Sequence, residues 1–127
     1  MEKMKNTQFE FNEIKRFIIE QAEKNGVSAS RLNEEWSLDY SVDFNGKFER
    51  EIFFLSECMK LIELAKAKND LLATKAAILI AGVRVGMLAS FFESMDSDLS
   101  RVLREFEWPE FPENYRIPDF YNYRGSK

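Results

Sequence analysis

Apolar residues recur along this chain at intervals of three and four, broken by short polar stretches rich in Asn, Asp and Ser. The first such run puts Phe11, Ile14, Ile18 and Ala22 on one face, the spacing of an amphipathic helix. Thr7 and Glu10 stand ahead of it at the spacing of a capping box, and Asn25-Gly26 closes it with two residues that tolerate positive φ. A shorter helix is expected from Ser28 or Ser30 through Trp36. Leu38, Tyr40, Val42 and Phe44 then alternate as in a strand, and Asn45-Gly46 has the chemistry of a hairpin turn. A two-residue turn there would pair Val42 with Glu49 and Asp43 with Phe48, scattering apolar residues over both faces. A loop entering a helix fits this stretch better.

The next helix is expected over about Lys47–Lys66. Phe48, Ile52, Leu55, Met59 and Ile62 form its stripe, flanked by Phe54, Cys58, Leu61 and Ala65. Lys68-Asn69-Asp70 makes a tight connection in which Asn69 or Asp70 can cap the following helix, about Leu71–Ser94. That helix is the most apolar segment, with only Lys75, Arg84 and Glu93 charged. Its longest uncharged runs are eight residues, against the ~20 of a membrane span, so it reads as a central helix surrounded by the others. A last helix, about Asp98–Phe106, carries Leu99, Val102, Leu103 and Phe106 on one side. Trp108-Pro109 stops it, because the residue before a proline disfavours helix.

The expected fold is therefore an all-α bundle of four or five helices. Residues 1–107 make the core, and an extended arm, 108–127, packs on that core or on a partner subunit. Five glycines and three prolines in 127 residues supply too few turns for an all-β sandwich, which supports this.

Composition narrows the chemistry. The chain has no histidine, which removes imidazole acid–base catalysis, Ser-His and Cys-His nucleophile pairs, and the commonest metal ligand. One cysteine, Cys58, can form neither an internal disulfide nor a zinc site. Glycine-rich phosphate loops are absent, since Gly82 and Gly86 fall inside a helix. No enzyme activity, metal or cofactor is expected. Met1–Phe11 is polar and charged, unlike a secretory leader, so a reducing cytoplasmic setting is expected.

Net charge is −4 and uneven. Arg31–Glu51 holds three basic and six acidic residues, and Glu93–Glu113 holds two and seven. Such stretches repel phosphates and suit a basic protein surface better.

Three features stand out as candidate binding elements. Gly82, Gly86 and Ser90 recur every four residues, which reads as a tight internal helix crossing or a self-association face. Arg84 falls amid the bulky apolar positions of its helix. It is expected to pair with Glu57 or Glu63, or to anchor an interface. The arm carries Trp108, Phe111, Tyr115, Ile117, Phe120, Tyr121 and Tyr123 among three prolines, too apolar for a solvated tail. Arg84, these aromatics, and the acidic Glu105, Glu107 and Glu110 form the expected partner-binding set.

Ala22, Gly26, Val27, Ser28 and Leu32 stand where a helix-turn-helix places its small residue, turn glycine and core positions. Over about 20 residues the chain resembles that motif locally. The resemblance implies a DNA-binding regulator using residues 18–36, though Glu34 and Glu35 outnumber Arg31 on the second helix. The preferred expectation is a stoichiometric inhibitor or adaptor acting on another protein. Small acidic toxin-neutralising and phage counter-defence proteins have this size and charge. DNA binding and a self-assembling structural role, as a homodimer, are the alternatives. No membrane partner is expected.

Overall fold

The structure, a computed structural model, describes residues 9–125. The first helix, α1 (Phe11–Lys24), begins later than a Thr7 cap would allow; Thr7 lies outside the described residues, and Glu10 makes no side-chain cap. Its first turn is satisfied from a distance instead. Asn45 Oδ1 accepts from the Asn12 amide at 2.9 Å, and Asn45 Nδ2 donates to the Phe9 carbonyl at 2.7 Å. Asn12 reciprocates: its Oδ1 accepts from the Phe44 amide at 2.9 Å, and its Nδ2 donates to Asp43 Oδ1 at 2.8 Å. This hydrogen bond, helped by the Gly46 amide, holds the Asp43 carboxyl below its ordinary range.

Asn25-Gly26 ends α1 as the sequence predicts. Gly26 takes φ +78°, and the Val27 amide reaches back to the Ala22 carbonyl at 2.9 Å. Ser28 then caps α2 (Ala29–Glu35) by accepting from the Arg31 amide. Residues 36–43 form a loop, not a hairpin strand. Asp43 caps α3 (Phe44–Ala67), so Asn45 and Gly46 lie in its first turn.

The buried positions of α3 are Phe44, Glu51, Cys58 and Ala65, with Phe48, Leu55 and Ile62 partly buried between them. Steps of four and three alternate, a seven-residue repeat. Ile52 and Met59, expected in the stripe, are exposed, because Glu51 takes the inward place beside Ile52. After a turn in which Asn69 adopts φ +56°, Asp70 caps α4 (Leu71–Glu105). Its inward positions keep the same repeat: Ala77, Ala81, Arg84, Leu88, Phe91, Met95, Asp98 and Val102.

The two helices form an antiparallel hairpin. Phe44 meets Phe91 edge-on at 5.6 Å, and one heptad nearer the tip Glu51 meets Arg84. α4 is the long central helix and runs unbroken through Ser94–Asp98, where the sequence suggests two helices. No glycine or proline interrupts that stretch, and Met95 and Asp98 point inward while Asp96 and Ser97 face water.

The core is confined to one end. α1, α2 and the 36–43 loop cover the C-terminal half of α4. Phe11, Ile18, Ala22, Leu32, Trp36, Leu38 and Tyr40 there join Phe44, Phe91, Met95 and Val102 in one cluster. Nearer the hairpin tip, among the described residues, only α3 lies against α4. Leu72, Leu79 and Val83 are 80 %, 64 % and 61 % exposed, so α4 is surrounded over half its length only.

Candidate functional surfaces

Asp98 is the most deeply set charged group, with no exposure. It accepts from the Ser37 amide (2.9 Å), the Leu38 amide (2.9 Å) and the Tyr40 hydroxyl (2.8 Å), pinning the 36–43 loop to α4. Burial, reinforced by the Asp98 bond and charge, pushes the Tyr40 hydroxyl far above the ordinary tyrosine range. All of these donors belong to the fold, and no substrate reaches the carboxylate. Beside it Arg101 stacks over Trp36 at 4.7 Å, donates to the Glu35 carbonyl at 2.8 Å and binds Glu105 at 2.8 Å. Glu105, expected at the partner surface, is thus held by its own helix.

Arg84 finds neither Glu57 nor Glu63. Those carboxylates lie nearer the hairpin tip and pair along α3 with Lys60 and Lys66. Antiparallel pairing brings up Glu51 instead: Arg84 Nη1 lies 3.2 Å from its Oε1, and the guanidinium sits 4.5 Å over the Phe54 ring. The pair replaces two apolar residues in the seam. Glu51→Ala alone is expected to cost about 2 kcal/mol by leaving a half-buried cation unpaired. Adding Arg84→Leu should recover most of that loss in a urea-denaturation double-mutant cycle; additive losses would count against the pairing.

The stripe Gly82, Gly86 and Ser90 does not form an internal crossing. A methyl group added at Gly82 or Gly86 would meet nothing within 4 Å, so the stripe faces outward. It lies in a helix that is long and apolar enough, by length and composition, to cross a membrane, and only 6 % of its most apolar 18-residue window is buried.

The arm leaves α4 at Phe106. Trp108 Nε1 donates to the Val102 carbonyl at 3.0 Å, turning the chain back. Beyond it the aromatics do not cap the core: Phe111 is 81 % exposed, Phe120 75 % and Tyr121 66 %. They stack locally, Phe111 on Tyr115 (5.4 Å) and Phe120 on Tyr121 (4.4 Å). Left-handed residues Asn114 and Asn122 and a 3-10 turn at Asp119–Tyr121 shape the backbone. The folded-back arm encloses an open cleft of about 480 Å³ between Tyr115, Ile117, Pro118 and Tyr123. Glu107 and Glu110 lie exposed at its root. Arg84 is not part of this surface; it is 21 residues back along α4, roughly 30 Å at the helical rise.

The α1–α2 corner has the shape the helix-turn-helix likeness implies, with Ala22, Val27 and Leu32 buried around Gly26. The cation of its second helix, Arg31, is paired with Glu35 at 3.4 Å.

These features define an all-α protein built on a long helical hairpin, with a small core at one end and an exposed aromatic arm. Residues 15–111 match DUF6853, a family of unknown function, and the chain belongs to that family. No curated protein and no solved structure matches it.

Proposed function

We propose that the chain is a non-enzymatic, protein-binding protein, a stoichiometric inhibitor or adaptor that uses its C-terminal arm as the recognition element. One observation carries this reading: Phe111, Phe120 and Tyr121 stand mostly in water on an arm anchored by the Trp108 hydrogen bond. Aromatics presented on an anchored segment lose little conformational freedom on binding and supply the contacts that dominate interfaces. The cleft beside Tyr115 and Pro118 offers a socket for a partner side chain. Glu107 and Glu110 favour a basic partner, by steering encounter more than by adding affinity. A single buried thiol suits a reducing cytoplasmic setting.

Membrane insertion of the hairpin suits the structure less well. It would carry Glu57, Lys60, Glu63 and Lys66 of α3, all exposed, into hydrocarbon together with the charged tip. DNA binding through the α1–α2 corner has its shape in favour and its charge against.

Capture from the native host by the full chain and by a chain ending at Trp108 tests the proposal. A single protein should be retained by the full chain, re-form a complex of fixed stoichiometry when purified, and be lost on truncation. Equal retention by the truncated chain, or retention of DNA that collapses with added salt, contradicts it.

A further inference from the structure

The outer face of α4 carries a charge pattern that matches its own reverse. Lys75, Gly82, Gly86 and Glu93 lie on one narrow strip, because steps of seven, four and seven residues return to nearly the same angle on a helix. Lys75 and Glu93 are each seven residues outside the glycines and opposite in sign. Leu72, Leu79 and Val83 border the strip, most of their surface exposed, and the glycines leave it open to close approach.

We infer that this face docks on a second copy of the chain, the two α4 helices running antiparallel about a two-fold axis at the level of Arg84. That axis sets Lys75 against the second copy's Glu93 and the reverse, Gly82 against its Gly86, and Leu79 against its Ala89. A two-fold interface requires this reciprocity, in which each contact occurs twice. A parallel pair would set Lys75 on Lys75 and Glu93 on Glu93.

Uncovered apolar surface supports a second copy: Leu72, Leu79 and Val83 along this face are 80 %, 64 % and 61 % exposed, and water favours covering such a contiguous apolar strip. The inference does not rest on the arm being a recognition element, and a chain ending at Trp108 keeps this face intact.

Light scattering tests it. The full chain should show twice its 15.0 kDa mass. Lys75→Glu and Glu93→Lys each turn both contacts repulsive, so each variant alone should dissociate at least ~100-fold more readily. Mixed together the two variants should re-form a dimer, because every contact is then complementary, and the double variant K75E/E93K should dimerise alone. Gly82→Leu fills open space in the monomer and improves helix propensity, so it should keep the wild-type helical content by far-UV circular dichroism, yet it should abolish the dimer. A wild-type chain that stays monomeric overturns the inference, whether or not it partitions onto phosphatidylcholine vesicles. A dimer indifferent to these substitutions overturns it equally.

Discussion

Asp98→Ala is expected to lower the unfolding free energy by about 3–5 kcal/mol, because it strips the acceptor from three donors that nothing else satisfies. The Ser37 and Leu38 amides and the Tyr40 hydroxyl all end on this carboxylate. In a chain of 127 residues such a loss corresponds to a Tm drop of roughly 10–20 °C. The variant should keep its urea m-value, since the surface exposed on unfolding is nearly unchanged. Tyr40 adds a pH signature. Its hydroxyl is held protonated in the fold, whereas an unfolded tyrosine ionises near pH ~10. The folded pKa is the higher one, so this contribution is complete below pH ~10 and is lost as pH rises beyond it. Tyr40→Phe should remove that alkaline slope at the cost of one hydrogen bond. A Tm for Asp98→Ala within about 2 °C of wild type would refute this role.

Phe44→Ala should cost about 3–5 kcal/mol, the range for emptying an aromatic site in a packed core. Phe44 is 1 % exposed, meets Phe91 edge-on, leans on Tyr40 at 5.9 Å and lies 5.4 Å under Lys15 Nζ. It also opens α3 beside the Asn12–Asn45 clasp, so the cavity would loosen the contact that holds α1. Phe53→Ala on the same helix is the control. Phe53 is 56 % exposed, and its loss should stay within about 0.5 kcal/mol. Chemical denaturation of the two variants side by side decides the matter; equal losses would mean that the burial pattern is wrong.

Those two phenylalanines show how far the sequence could be read. Helices α1, α2 and the turn at Asn69 were legible because caps and turn residues act locally: Ser28, Gly26 and Asp70 each do what their chemistry dictates within four residues. The inward repeat of α3 and α4 was harder to read because charged residues occupy three of its places: Glu51 and Arg84 in the seam between the two helices, and Asp98 beyond it, against the 36–43 loop. Each sits where a heptad pattern calls for an apolar side chain, and on α3 a purely hydrophobic stripe shifted onto Ile52 and Met59. Their partners are 33 residues away for Arg84 and about 60 for Asp98, a range that local spacing does not encode. The same limit hid the capping of α1 by Asn45.

The candidate surface was legible in part. The arm's apolar density was plain in the sequence, but whether it covered the core depended on how much core remained uncovered. α1, α2 and the loop close that end, and the aromatics are left outside. The outward aim of Gly82 and Gly86 depended likewise on which side of α4 receives α3, and the charged seam concealed that side.

Recognition by the arm is tested most directly by titrating the purified partner against the full chain and against the double variant Phe111→Ala, Phe120→Ala. Both side chains stand mostly in water, so the variant should keep the wild-type Tm. Its affinity should fall about 100-fold or more, the effect of removing two anchoring aromatics. Unchanged affinity in a variant that remains folded would contradict the proposal.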